Sequence, residues 1–139
     1  MFTHILVPLD LTERNRKAIE IAIKMGLENT ATITLLHVIE TLEGADSEDF
    51  IKFYKQLAAR AGRALEKTIS ELGREGVRIE KQVIYGKRVY EILNFADAQK
   101  ADLIIMSSHR LDTENVTEGW GTISFKVGVL SHCPVMLVK

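Results

Sequence analysis

The sequence is poor in the residues on which disulfide-stapled and zinc-stapled folds depend. It holds one cysteine in 139 residues, which excludes an internal disulfide and a multi-cysteine zinc site. That residue, Cys133, stands before Pro134 and an apolar run, and reads as a small buried hydrophobe in a reducing compartment. Charge of one sign is not in excess either: 18 lysines and arginines face 19 aspartates and glutamates, a net of −1. Coating DNA or RNA requires a basic surplus that displaces counterions, and a polybasic membrane anchor requires one too, so neither nucleic acid nor membrane is expected as a partner. No apolar run approaches the ~20 residues of a membrane-spanning helix. Met1-Phe2-Thr3-His4 lacks the basic start and long apolar stretch of a secretion signal, so the expected location is the cytoplasm. The four histidines have no metal-ligand spacing and no cysteine companions, so no metal site is expected in the protein itself. Repeats, low-complexity tracts and linkers are missing as well, which leaves one domain over residues 1–139.

What the chain does have is a regular alternation of two apolar periods. Ile5-Leu6-Val7-Pro8-Leu9 is a continuous apolar run, as expected of a strand covered on both faces. Thr12 then offers a helix N-cap, Ala18, Ile21, Ala22 and Met25 recur at helical spacing, and Gly26 offers a stop. Ile33 to Ile39 is a second strand. Ser47 with Glu48 and Asp49 starts a long amphipathic helix whose apolar face runs from Phe50 and Tyr54 through Ala61 and Leu65 to Leu72, ending near Gly73. Val77 to Tyr85 alternates apolar and charged residues and suits a sheet edge, with Gly86 as the turn after it. Val89, Ile92, Leu93 and Ala96 form the next helical stripe, Leu103 to Met106 a fourth strand, Ile123, Val127 and Leu130 a short helix, and Val135 to Val138 a fifth strand. Strand and helix in strict succession predict an α/β fold: a doubly wound, five-stranded parallel sheet of order 3-2-1-4-5 with helices on both faces.

In such a sheet the first and fourth strands are neighbours, and ligands bind beyond their carboxyl ends. Those ends are Pro8-Leu9-Asp10 and Met106 onward. Asp10 can accept hydrogen bonds from a ribose hydroxyl or a base amine there; capping a turn or the first helix is the plainer use of the same carboxylate. The main chain around His37-Val38-Ile39 can meet a flat base, whereas the His37 ring reads as a satisfied core group and His4 and His132 as structural. The segment from Ser107 to Trp120 is longer than most strand-to-helix loops. It carries Ser107, Ser108, His109 and Arg110, then Gly121, Thr122, Ile123 and Ser124 where a helix begins. Glycine and hydroxyls at a helix start suit a phosphate, and they equally suit a helix cap. Asp112, Glu114 and Glu118 set three acids beside His109 and Arg110, a poor setting for a triphosphate unless they point outward. Neither a dinucleotide fingerprint nor a Gly-x-x-x-x-Gly-Lys-Ser/Thr loop is present.

Ile5-Leu6-Val7-Pro8-Leu9-Asp10, Leu35-Leu36-His37-Val38-Ile39, Asp102-Leu103-Ile104-Ile105-Met106 and Cys133-Pro134-Val135-Met136-Leu137-Val138 together resemble the universal stress protein family, in order and spacing and over the whole chain. The resemblance implies the adenine nucleotide alpha hydrolase-like arrangement of the fold above and a stress-linked binding or signalling role without catalysis. It implies ATP or AMP as the ligand of the nucleotide-binding members, with magnesium only as the companion of the nucleotide. Asp10 and the main chain of Val38 take the positions that hold adenosine in those members. The glycine-rich phosphate pattern is degenerate: Ser107 and Arg110 replace its first two glycines, Gly121-Thr122 ends it one residue late, and the Gly-x-Pro turn survives only as Gly86-Lys87-Arg88. The candidate nucleotide contacts are thus Pro8, Leu9, Asp10 and Val38 on one side, and Met106, Ser107, His109 and Arg110 with Gly121, Thr122, Ile123 and Ser124 on the other. A slow nucleotide hydrolase is the competing function, with Asp10, His109 and Arg110 as its only candidate groups and no evident orienting partner among them. The apolar edge Val135–Val138 predicts a homodimer.

Overall fold

The computed structural model describes residues 1–42, 47–108 and 122–139. In chain order they form β1 (His4–Pro8), a short 3-10 turn (Glu13–Asn15), α1 (Arg16–Asn29), β2 (Thr32–Ile39), α2 (Glu48–Leu72), β3 (Arg78–Tyr85), α3 (Arg88–Ala98), β4 (Leu103–Ser107), α4 (Ile123–Leu130) and β5 (Val135–Val138). The strands make one sheet in the order β3-β2-β1-β4-β5, and every pair is parallel. Ile5 stands opposite both Ile33 of β2 and Leu103 of β4, so β1 is central and its carboxyl end lies beside that of β4.

Burial explains the composition of the strands. Ile5, Val7, Ile33, Leu35 and Ile105 point to one face, where α1 and α2 cover them with Ala18, Ala22 and Leu65. Leu6, Leu36, Ile104 and Met106 point to the other, against Ile92 and Ala96 of α3 and Val127 of α4. A strand buried on both faces has no polar side to alternate with, hence the continuous apolar runs. Among the described residues β3 pairs only with β2, and it keeps Glu80, Lys81 and Gln82 in its middle, the charged habit of an edge. Gly86 holds φ +142, as its reading as a turn requires, and a side chain there would meet Glu91. Among the described residues no helix is long and apolar enough to cross a membrane.

The structure departs from several sequence expectations. Thr12 does not cap α1: its hydroxyl and amide both donate to Asp10 Oδ1, and a 3-10 turn intervenes before the helix begins. Gly26 does not stop α1. It is buried inside the helix, where an added Cβ would lie 2.9 Å from Ile33 Cδ1, and the helix closes at Thr30, which takes the left-handed φ of +55. The apolar face of α2 is not buried throughout; Ala61 and Leu65 are, but the amino-terminal turns leave Phe50 42% and Phe53 52% exposed. In α4 Leu130 is exposed, and Ser124, not an apolar residue, is buried beside Val127. Cys133 is half-buried, with Sγ 3.4 Å from Ser131 Oγ. Ser47 caps α2 as expected by accepting the Phe50 amide.

Candidate functional site

Where β1 and β4 end, a cleft of about 1070 Å³ opens between the start of α1, the start of α4 and the ends of the strands. The nine described candidates from the sequence all line it. His109, Arg110 and Gly121 lie outside the described residues. Pro8, Leu9 and Met106 are buried and form its floor. Asp10 stands at the rim, and Thr122, Ile123 and Ser124 bring the amino end of α4 to the opposite wall.

The turn carrying Asp10 is tightly specified. Its carboxylate accepts the Thr12 amide at 2.9 Å and the Thr12 hydroxyl at 2.6 Å, both on Oδ1, while Oδ2 lies 3.9 Å from the Arg14 guanidinium. Partial burial pushes the Asp10 carboxyl up, but the Thr12 hydrogen bonds and the Arg14 charge outweigh it and leave the group below the usual carboxylate range. Asp10 is therefore anionic, with one oxygen holding the turn and the other turned toward Arg14. Leu11 between them adopts φ +65, a conformation a residue with a Cβ adopts at a cost of about 1–2 kcal/mol. Strain of this kind persists only where surrounding bonds over-determine it.

Asn15 supplies part of that determination, and sequence reasoning missed it. It is buried at 5% exposure. Its Oδ1 accepts the Asp10 amide at 3.1 Å, and its Nδ2 donates to Ser107 Oγ at 3.3 Å. Ser107 Oγ in turn donates to the Arg14 carbonyl at 3.0 Å. One small network thus locks the turn after β1 to the end of β4. Ser107, which stands where the family pattern has its first glycine, works here as a strut, in extended backbone without positive φ. The signal for Asn15 was its place three and four residues before Ala18 and Ile19, on the stripe that α1 buries.

The far wall is the end of β2. Leu9 donates its amide to the Leu36 carbonyl at 2.8 Å, the last rung between β1 and β2. Main-chain groups along a strand alternate in direction, so Val38, two residues on, turns its amide and carbonyl the same way, past the end of β1 and into the cleft. The His37 ring, half-buried, donates from Nδ1 to the Leu9 carbonyl at 2.8 Å, as expected of a satisfied structural histidine.

At the α4 wall the cap and the hydroxyl cluster are one feature. Thr122 Oγ1 accepts the Phe125 amide at 3.3 Å and lies 3.4 Å from Ser124 Oγ, which donates to Ser108 Oγ at 3.4 Å. The sequence also gave no sign of the basic rim. Among the described residues Arg14, Arg16, Lys17, Arg88 and Lys139 line the cleft against Asp10, Glu13 and Glu20, so this part of the lining is cationic in a chain whose net charge is −1.

Comparison with known proteins places this geometry. The universal stress protein family model matches residues 1–139. The universal stress protein YxiE of Bacillus subtilis is 29% identical, the match spanning all of both chains. Among solved structures, the universal stress protein UspA from Lactobacillus plantarum superposes with a TM-score of 0.83 at 20% identity, over 99% of this chain and 98% of that one. A universal stress protein in complex with cAMP gives 0.72 at 18% identity, over 99% and 97%. The family model spans every residue from the first strand to the last, and this chain belongs to the universal stress protein family.

Proposed function

We propose that this universal stress protein is a binding or signalling module that holds an adenine nucleotide, AMP or ATP, in the cleft between β1 and β4. The observation that carries the reading is the meeting of three complementary groups around one cavity. The Val38 main chain can pair with a base edge, the Asp10 carboxylate with ribose hydroxyls, and the hydroxyl-lined start of α4 with phosphate. A family member of the same fold solved with cAMP supports a ligand of adenine, ribose and phosphate. His109, Arg110 and Gly121 belong to the proposed contacts by sequence alone, and magnesium would accompany the nucleotide. With no membrane-crossing helix among the described residues, action in the cytoplasm is part of the same proposal.

Binding is favoured over turnover by the state of Asp10. A general base works best with a pKa near the operating pH. The Asp10 carboxyl is held below the usual range, and Oδ1 already serves Thr12, which makes it a good acceptor for a sugar hydroxyl and a poor proton abstractor. Calorimetric titration of the purified chain with AMP and ATP tests the proposal. One saturable site per chain is expected, with no release of phosphate from ATP over hours. Asp10→Asn keeps an acceptor for Thr12 while removing the charge, and should weaken AMP binding about tenfold. Absence of binding by the wild type rejects the nucleotide reading, and steady magnesium-dependent hydrolysis lost in Asp10→Asn replaces it with the hydrolase.

A further inference from the structure

Of the five cations that line the cleft among the described residues, two are already matched: Arg14 faces Asp10 at 3.9 Å and Arg16 faces Glu20 at 3.1 Å. Arg88 lies at the start of α3, on the β2 side, where its amide donates to Glu40. Lys17 and Lys139 are different. They are 122 positions apart in sequence, yet Lys17 Nζ donates to the main-chain oxygen of Lys139 at 3.3 Å. Lys139 follows β5, and its Nζ donates to Ser108 Oγ at 3.4 Å, the hydroxyl that Ser124 reaches from the amino end of α4. Among the described residues neither lysine is paired with an acidic side chain. Two ammonium groups thus stand together at the β4–β5 end of the cleft, Lys17 on a main-chain oxygen and Lys139 on a serine hydroxyl, on the side away from Val38.

We propose that Lys17 and Lys139 make the cleft selective for the phosphorylated form of its ligand, so that a nucleoside 5′-phosphate is bound in preference to the free nucleoside. This rests on the reading of the cleft as an adenine nucleotide site. With the base at Val38 and the ribose at Asp10, the remaining part of the ligand points along the crevice toward β4, β5 and these two lysines. Lysine acts there as a movable point charge on a flexible stem, and can follow one phosphate or several without fixed bidentate geometry. Glu13 and Glu20 also line the cleft, four residues before and three after Lys17, and Glu20 is paired with Arg16. The selectivity therefore comes from a lysine of α1 meeting a lysine that follows β5, not from the glycine-rich pattern that Ser107 and Arg110 interrupt.

Titration of the full chain with adenosine, AMP and ATP tests this, using the wild type, Lys139→Gln, Lys17→Gln/Lys139→Gln and Lys24→Gln. Lys24 is an exposed lysine of α1 that does not line the cleft, so it controls for net charge. The wild type should bind AMP about tenfold or more tighter than adenosine, a gap that shrinks as salt is raised. Lys139→Gln should narrow the gap to about threefold and the double variant should abolish it, with adenosine affinity unmoved and Lys24→Gln equal to wild type. An unchanged gap in the double variant overturns the inference and leaves the nucleotide site standing, as does an equal loss of adenosine and AMP binding. If the wild type binds none of the three, the reading of the cleft falls and this inference with it.

Discussion

At the scale of single residues, the site is held by polar groups that each have two uses. Asn15 satisfies the Asp10 amide and braces Ser107 from a buried position. Asn15→Ala leaves both partners without their bond and opens a small void. It should cost about 2 kcal/mol of stability in urea unfolding, a figure set by the desolvation of unpaired groups rather than by the bond itself. An unchanged midpoint would show that solvent replaces the side chain at no cost. Asp102 has the same double character at the other end of β1. Its carboxylate accepts the Thr3 amide at 2.8 Å, the Thr3 hydroxyl at 2.9 Å and the His4 amide at 3.1 Å, tying β1 to the start of β4. Partial burial raises its carboxyl, those three donors lower it further than burial raises it, and the net is below the usual range. A folded value below the unfolded one means that the group stabilises the protein fully above the ordinary carboxylate range. The contribution is lost as pH falls through the lowered folded value. Asp102→Asn should therefore destabilise by about 1 kcal/mol at neutral pH, small because the group is only partly buried and solvent screens it, and flatten the acid side of the stability profile. A variant whose loss persists undiminished at the lowest pH would instead have lost packing.

At the scale of elements, long helices need not be anchored along their length. α2 is fixed to the sheet by Ala61 and Leu65, while Phe50 and Phe53 near its start are half in solvent. Leu65→Ala should cost about 3 kcal/mol, whereas Phe53→Ser should cost less than about 1 kcal/mol, both by chemical denaturation. Equal costs would mean that the amino-terminal turns are packed as firmly as the rest. The same contrast explains what could be read in advance. β1, β2 and β4 announce themselves because strands buried on both faces are apolar without interruption, and a succession of such strands and amphipathic helices leaves little choice of order. The termini of α1 do not, because Thr12 binds Asp10 instead of the helix and Gly26 is kept for its closeness to Ile33, neither of which is a local property. The site divides along the same line. Asp10 and Thr122 follow directly from the strand and helix they adjoin, so position alone finds them. Lys17 and Lys139 meet only when the fold brings the first helix against the last strand, and no pattern along the chain records that meeting.

At the scale of the whole molecule, the two sheet edges are treated differently. β3 is protected by its charges, but β5 is the apolar run Val135–Val138, and α4 beside it leaves Val129 65% and Leu130 56% exposed. An unprotected edge with an apolar flank invites pairing, and a second copy of the same surface satisfies both through a twofold axis. We propose that the protein is a homodimer through β5 and α4. Light scattering after gel filtration should give twice 15.6 kDa for the wild type. Val129→Asp/Leu130→Asp places two charges on residues that contribute little to the protomer's own core. The variant should run at 15.6 kDa with its circular dichroism intact. A wild type that stays monomeric at high concentration removes the proposal. So does a variant that remains dimeric, since the interface would then lie elsewhere. If the dimer forms as argued, it draws in the strand that leads to Lys139, so dilution that separates the protomers should also weaken binding of AMP relative to adenosine. That link is measurable by titrating the Val129→Asp/Leu130→Asp variant beside the wild type: a narrowed gap joins assembly to ligand choice, and an equal gap makes each protomer's cleft self-sufficient.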